Sequence, residues 1–220
     1  VVGTAAMSLA VDLAREHGSG WVAVRNSSHY GAAFLYARMA MAEGMIGFSS
    51  TNTVVQQAPY GGRTKLLGTN PLCIGVPGGV HGPIILDMAT SQTARGKIQV
   101  AAIDGKAIPL GWAVDKEDRP TTDPTQAWRL LPLGGYKGYG LALMMEILSA
   151  VISGAMVGTQ VGEMFNHPDT QQNIGHFFGA LDLSGFGALD AFRERMDALV
   201  EYIKACEVEP GSSEVLLPGE

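Results

Sequence analysis

The amino-acid sequence predicts an α/β fold, in which helices cover a β-sheet. Its 220 residues are 46% hydrophobic and 16% charged, which provides enough apolar side chains for a sizeable core. Apolar side chains recur at helical spacing over residues 2–13, and residues 21–24 form an apolar run that is typical of a buried strand. The same order repeats over residues 32–43 and 46–49. This alternation of helix and strand indicates an α/β layer.

Later elements follow from the same patterns. Gly18 follows the first apolar repeat and predicts the end of a helix. Glycine and proline at residues 78–83 separate two short apolar runs, which predicts a hairpin. The proline-rich residues 108–129 predict a long loop, and a loop of that length is usually functional or wraps a neighbouring element. The elements predicted after residue 50 are strands 72–77, 84–87 and 173–182 and helices 93–103, 137–154 and 189–205, with a polar stretch from 154 to 172.

Composition excludes several classes of function. The net charge of −6, without a basic cluster, argues against a nucleic-acid surface. Cys73 and Cys206 are too few for a disulfide framework, so a reducing cytoplasm is expected. No signal peptide or membrane span is visible. The five histidines and two cysteines show no zinc-binding spacing, so no metal site is predicted. Because Val1 already lies inside a helical pattern, we expect that the beginning of the protein is missing.

The stretch 133–140, LGGYKGYG, is the strongest candidate for a ligand site. Gly135 and Gly138 permit a turn and a close approach of the backbone, and an apolar helix follows at once. The first turn of a helix offers unpaired N–H groups and the positive end of a dipole, so it favours an anion. Lys137 adds a full positive charge, so a phosphate or carboxylate is the predicted guest. The alternative is an ordinary junction whose lysine points into water.

His29 and Asp87 each follow a predicted strand. His29 lies at a strand's carboxyl edge among hydroxyl groups and glycine, and histidine is the usual acid/base residue near neutral pH. The alternative for His29 is a hydrogen-bonding residue of the loop. A carboxylate at the position of Asp87 suits a ribose diol, but Asp at a strand end also bonds commonly to local backbone. His176 and Cys73 lie in apolar runs and are expected in the core.

Two common site motifs are absent from the sequence. No Gly-x-Gly-x-x-Gly follows a strand, so a standard dinucleotide-binding fold is not supported. No Gly-x-Ser-x-Gly occurs either, which argues against a serine hydrolase of the α/β type.

The sequence nevertheless resembles the type 2 malate/L-lactate dehydrogenases, a family that includes sulfolactate and ureidoglycolate dehydrogenases and imine-reducing relatives. The resemblance spans the whole chain in order, and no single motif carries it. The motifs are 26–31 (NSSHYG), 68–71 (GTNP), 86–91 (LDMATS), 109–113 (PLGWA) with 120–124 (PTTDP), 133–140 (LGGYKGYG), 173–178 (NIGHFF) and 216–220 (LLPGE).

The resemblance implies NAD- or NADP-dependent oxidation of a small 2-hydroxy acid, or the reverse reduction of a 2-oxo acid. It implies a three-layer arrangement around a mixed β-sheet, a fold that is not Rossmann, and a homodimer. The expected cytoplasmic location and the absence of a nucleic-acid or membrane partner rest on the composition. It also implies that residues 1–220 are one incomplete catalytic chain. Residues of about 50–150 would form a cofactor-binding region between the dimerisation-core segments 1–49 and 151–220.

The resemblance also implies roles for the residues of this sequence that match the family's functional positions. The resemblance makes His29 the catalytic acid/base residue. The cofactor-binding residues that it implies are Thr53, Asp87, Met88, Ala89, Lys137, Gly219 and Glu220. Family members also carry an N-terminal helical segment with a Ser-His pair and an arginine facing the substrate, and nothing in this chain matches it.

Two alternatives stay open at this point. One is an NAD(P)H-dependent reductase of cyclic imino acids, which fits the same motifs. The other is an inactive, truncated binding module, which fits the missing segment.

Overall fold

The computed structural model describes residues 1–163 and 169–220. Part of the polar stretch predicted between residues 154 and 172 therefore lies outside the described residues. The helices are α1 (Val2–His17), α2 (Phe34–Ala42), α3 (Arg95–Ile103), α4 (Tyr136–Glu146) and α5 (Leu189–Lys204). The strands are β1 (Ser19–Ser27), β2 (Met45–Thr51), β3 (Leu72–Val76), β4 (Ile84–Met88), β5 (Ala113–Val114), β6 (Pro120–Thr121), β7 (Arg129–Leu130) and β8 (Ile174–Asp182).

A five-stranded sheet in the order β1-β8-β2-β3-β4 forms the centre of the molecule. Each neighbouring pair is antiparallel: β8 pairs with β1 and β2, and β3 pairs with β2 and β4. The predicted hairpin is confirmed as β3 and β4. The sheet is not mixed as predicted, because β8 enters between β1 and β2 and runs opposite to both. A Rossmann fold is built on parallel strands instead.

Helices α1 and α2 cover one face of this sheet. A Cβ atom on Gly20 would lie 2.0 Å from the Ala10 carbonyl oxygen, and one on Gly47 would lie 2.5 Å from that of Ala37. Glycine at these two strand positions therefore lets the helices approach the sheet closely. Met7 and Phe178 are fully buried in the core between them.

A second helical layer covers the opposite face. Helix α4 continues as a π-helical segment, Ile147–Val151, and a Cβ atom on Gly175 of β8 would lie 2.0 Å from the carbonyl oxygen of Ser149. The α/β class and the three layers are thus confirmed. Gly18 also ends α1 as predicted, with a φ of 83° and its N–H bonded to the carbonyl of Ala14.

The predicted loop 108–129 contains most of a second, small sheet. Strands β5, β6 and β7 form it in the order β6-β5-β7, and Ile98 of α3 packs beneath it with Ile108 and Leu130. Strands of two residues leave almost no periodicity in the sequence, which explains why they were missed. None of the described helices combines the length and the apolarity needed to cross a membrane.

Candidate active site

The start of α4 has the geometry of an anion site. Gly134 and Gly135 turn the chain with φ values of 56° and 66°, and the helix begins at Tyr136. The backbone N–H groups of Tyr136 and Lys137 have no hydrogen-bond acceptor within the described parts of the chain. The side chain of Lys137 is exposed beside them. The start of α4 therefore combines two free donors with an exposed cation.

Gly138 has a different role from the one predicted. A Cβ atom there would lie 2.4 Å from the backbone nitrogen of Leu133 and 2.6 Å from the carbonyl oxygen of Thr90. Both atoms belong to backbone, so the close approach is between segments of the protein and not between the protein and a ligand. Gly138 thereby seats α4 on the chain that follows β4.

Thr90 joins three segments that carry predicted cofactor residues. Its side chain is fully buried, its N–H and its hydroxyl both donate to the carbonyl of Thr69, at 2.9 and 2.8 Å, and its own carbonyl accepts from Leu133 at 2.9 Å. Thr69 in turn donates from its N–H to Oγ1 of Thr53 at 3.0 Å. The segments that hold Thr53, the triplet Asp87–Ala89 and Lys137 are therefore mutual neighbours.

Asp87 lies near the end of β4 and faces the His29 loop. Its Oδ2 accepts a hydrogen bond of 2.9 Å from the N–H of Phe34, the first residue of α2. The carboxyl group is exposed, and its other oxygen has no hydrogen bond within the described residues. Cys73 pairs with Asp87 across the sheet and is buried. Burial, with the charge of Asp87 adding to it, raises the pKa of the Cys73 thiol to about 12, so the core role predicted for Cys73 is confirmed.

His29 is exposed on the loop between β1 and α2. Its N–H donates to Oε1 of Gln172 at 3.1 Å, and its ring Nδ1 accepts from the N–H of Gly31 at 3.2 Å. The ring lines a cleft of about 410 Å³ together with Tyr30, Tyr36 and the start of α1. Since Nδ1 accepts a hydrogen bond, the neutral ring carries its proton on Nε2, which is the nitrogen free to act on a ligand.

A buried aromatic stack supports the His29 loop from behind. Tyr30 stacks on His176 with ring centroids 4.4 Å apart, and Nδ1 of His176 lies 2.8 Å from Oγ1 of Thr51. Burial lowers the pKa of His176 to about 4; the Ser28 backbone opposes this change and His29 adds to it. Burial likewise raises the pKa of the Tyr30 hydroxyl. Both groups are neutral at pH 7, and the core role predicted for His176 is confirmed.

The two predicted cofactor residues at the C-terminus, Gly219 and Glu220, contact different parts of the protein. Pro218 accepts a 3.1 Å hydrogen bond from the N–H of Ile85, and Gly219 packs on that residue with a φ of 100°. Gly219 is therefore close to β4 and the triplet. The carboxylate of Glu220 instead accepts from Lys204 of α5 and from the N–H of Leu217, and these bonds lower its pKa. The side chain of Glu220 thus faces α5, and its cofactor role stays a prediction.

Four residues of the site region were not singled out from the sequence. Thr90, Gln172 and Asn70 resemble ordinary loop residues, and only their hydrogen bonds give them importance. Glu146 had a signal, because a carboxylate within the apolar run 141–148 is unusual and needs partners. The described residues include no cluster of three or more His, Cys, Asp or Glu side chains that could hold a metal ion.

Comparison with known proteins agrees with this arrangement. Residues 1–220 match the family model described as malate/L-lactate dehydrogenase. The chain belongs to the malate/L-lactate dehydrogenase family. It is similar to L-sulfolactate dehydrogenase of Methanocaldococcus jannaschii, with 46% identity over 222 residues that cover 100% of this chain and 63% of that protein. The solved structure of sulfolactate dehydrogenase from this organism matches with a TM-score of 0.90, covering 100% of this chain and 63% of that one.

More distant members of the malate/L-lactate dehydrogenase family carry a cofactor in their names. The chain is 37% identical to (2R)-3-sulfolactate dehydrogenase (NADP(+)) of Chromohalobacter salexigens over 194 residues, 87% of this chain and 58% of that protein. It is 34% identical to ureidoglycolate dehydrogenase (NAD(+)) of Escherichia coli K12 over 214 residues, 97% of this chain and 61% of that protein. The chain spans less than two thirds of the length of these relatives.

Proposed function

We propose that the protein is an NAD- or NADP-dependent oxidoreductase that interconverts a small 2-hydroxy acid and its 2-oxo acid. The observation that carries this proposal is the convergence at Thr90 of the segments holding Thr53, Asp87–Ala89 and Lys137. Family membership supports it, since each of the relatives compared is named as a dehydrogenase acting on such an acid.

The donor set fits a dinucleotide. Lys137 and the free N–H groups at the start of α4 supply positive charge and donors for phosphate oxygens. Asp87 has one carboxylate oxygen available to accept from ribose hydroxyls. We propose that Thr53, Met88, Ala89, Gly219 and Glu220 also contact this ligand. When bound, the nicotinamide supplies the hydride chemistry, and the protein supplies position and charge.

His29 is the proposed acid/base residue. The ring lines the cleft, and Nε2 carries the proton of the neutral ring, so it can donate a hydrogen bond to the oxygen of a 2-oxo acid. Accepting a proton from a 2-hydroxy acid requires Nε2 to be bare. The proton must then lie on Nδ1, and the hydrogen bond from Gly31 is lost. A neutral His176 behind the loop adds no competing charge.

Further parts of this proposal rest on the family resemblance and on composition. We infer a homodimer from the resemblance and a cytoplasmic location from the presence of only two cysteines. We also infer a cofactor-binding region of about residues 50–150 between dimerisation-core segments 1–49 and 151–220. The carboxylate clamp for the substrate is assigned to no residue of this chain.

The test is a pair of titrations on the protein encoded by the complete gene. NADH and NADPH fluorescence measures cofactor binding, and turnover is then assayed with malate, lactate, sulfolactate, ureidoglycolate and a cyclic imino acid. We expect saturable binding of at least one cofactor and turnover of at least one hydroxy acid. Turnover of the cyclic imino acid alone would overturn the substrate class. Absence of binding to both cofactors would make the protein an inactive member of its family.

A further inference from the structure

Glu146 is a buried carboxylate at the end of α4, the helix that begins beside Lys137. Its side chain is 5% exposed, and no lysine, arginine or histidine pairs with it within the described residues. It is held by hydrogen bonds alone. Oε1 accepts from the N–H of Gly158 at 2.8 Å and from Nδ2 of Asn52 at 3.3 Å, and Oε2 accepts from Nδ2 of Asn70 at 2.6 Å. Burying such a group is costly unless its oxygens are satisfied.

The Asn70 amide is held in one orientation by these contacts. Its Nδ2 donates to Oε2 of Glu146 and also to the carbonyl of Ala142, at 3.0 Å. Its Oδ1 is therefore turned away from α4 and accepts from the N–H of Thr53 at 3.0 Å. An ionised carboxylate can only accept hydrogen bonds, so Glu146 determines which end of the amide faces Thr53. Asn70 is fully buried and has a φ of 24°, which leaves it little freedom to adjust.

Thr53 is the residue that this chain of contacts reaches. Its N–H is fixed by Asn70, and its Oγ1 accepts from the N–H of Thr69. Helix α4 thereby holds Lys137 at one end and, through Glu146 and Asn70, Thr53 at the other.

We propose that Glu146 is a positioning residue that acts through Asn70 to place Thr53 for the cofactor. This inference rests on the proposed function, because it takes Thr53 to contact the NAD(P) molecule. The buried carboxylate makes the loop of Thr53 and the helix of Lys137 one rigid unit, so that both ends of the ligand meet groups already in place.

Replacing Glu146 by Gln should disturb this geometry with almost no change in volume. The amide of Gln cannot present two acceptors. If its oxygen keeps Gly158 and Asn52, its NH₂ group faces the NH₂ group of Asn70. Asn70 must then turn over, which places a donor against the N–H of Thr53. A second change, Asn70→Asp, supplies acceptors toward position 146 and toward Thr53, but it removes the donor to the carbonyl of Ala142. The double variant Glu146→Gln/Asn70→Asp therefore restores the contact with Thr53 and loses the contact with Ala142.

The experiment compares three variants with the wild-type protein. Glu146→Gln should weaken NAD(P)H binding roughly three- to tenfold, the effect of about one hydrogen bond, and should raise the KM for cofactor while kcat at saturation changes little. Amide hydrogen exchange over residues 53–70, measured without cofactor, should become faster. The double variant should recover both properties in part, because it restores the acceptor for Thr53 but not the donor to Ala142. Ser149→Ala is the matched control, because it breaks the buried Ser149–Ser50 hydrogen bond of 3.0 Å without touching this network.

The outcomes separate the inference from the function on which it rests. If Glu146→Gln and Ser149→Ala lower stability alike and neither changes cofactor affinity or exchange over residues 53–70, Glu146 is structural only and the inference is wrong. If the wild-type protein binds no cofactor, the proposed function fails, while the exchange data still decide whether Glu146 holds the Thr53 loop.

Discussion

The carboxylate of Asp87 accepts a hydrogen bond from the backbone N–H of Phe34 across 2.9 Å, which ties the end of β4 to the start of α2. The loop carrying His29 leads directly into that helix. One carboxylate therefore borders the proposed ribose position and steadies the proposed acid/base loop. The bond joins residues 53 apart in sequence, so it is not the local backbone contact considered as the alternative for Asp87, and the ribose role remains a proposal.

His29→Ala should lower turnover of the complete enzyme at least ~10²-fold, the low end for a lost acid/base group. Cofactor affinity should change little, because the side chain lines the cleft beside Tyr30 and Tyr36 and is not among the proposed cofactor residues. Steady-state rates and NADH titration on the same preparation measure the two effects. A rate within a few-fold of wild type would remove His29 from the reaction.

Lys137→Met should weaken NAD(P)H binding by roughly tenfold to a hundredfold, since a charge-assisted hydrogen bond is lost while the apolar stem is kept. The side chain is exposed, so thermal stability without cofactor should hardly move. Lys116→Met is a control on another exposed lysine. Equal dissociation constants for wild type and Lys137→Met would show that Lys137 points only into water.

Gly138→Ala should destabilise the protein by ~1–3 kcal/mol, because the new Cβ atom would lie 2.4 Å from the Leu133 backbone and neither segment can yield easily. Gly140→Ala is the matched control in the same helix. A Cβ atom there meets nothing within 4 Å, so the change should stabilise by ~0.5–1 kcal/mol. Urea unfolding gives both values. Two changes of the same sign would contradict the packing described for Gly138.

The buried His176 should make the protein sensitive to acid. Its pKa is lowered from 6.5 to about 4, so the unfolded chain binds more protons than the folded one between these values. The free energy of unfolding therefore falls as the pH drops through this window, by roughly 3 kcal/mol for this group. Urea unfolding of His176→Gln should lack that part of the pH dependence. His17→Gln changes an exposed side chain and should keep it; identical slopes in wild type and His176→Gln would refute the assignment.

The sequence predicted the elements that carry strong periodicity. Three such predictions are confirmed: the alternation of the first helices and strands, the hairpin of β3 and β4, and the end of α1 at Gly18. The antiparallel order of the sheet was not predictable in this way, because β8 lies far along the chain from β1 and β2. Register and neighbour choice depend on tertiary packing, which no short window contains.

Some residues of the candidate site could also be predicted from the sequence, and others could not. His29, Asp87 and Lys137 carry charge or a titrating ring at the ends of elements, so the sequence alone singled them out. Thr90 and Asn70 act through buried hydrogen bonds to segments distant in sequence, and their residue types suggest only loops. The close approach predicted at Gly138 is present, but it is to the backbone of Leu133 and Thr90 and not to a ligand. A glycine in a sequence indicates a close approach without identifying the neighbour.

The position of β8 in the sheet has a consequence for how the protein is made. Ser19 pairs with Leu181, and Met45 pairs with Asp182, so the two earliest strands share a neighbour that is synthesised much later. Such pairings give a high relative contact order, and closing the long intervening loop precedes most of the favourable contacts. During synthesis, the edges of β1 and β2 that pair with β8 stay unpaired until residue 182 has left the ribosome. The central sheet of the nascent chain therefore forms late and slowly.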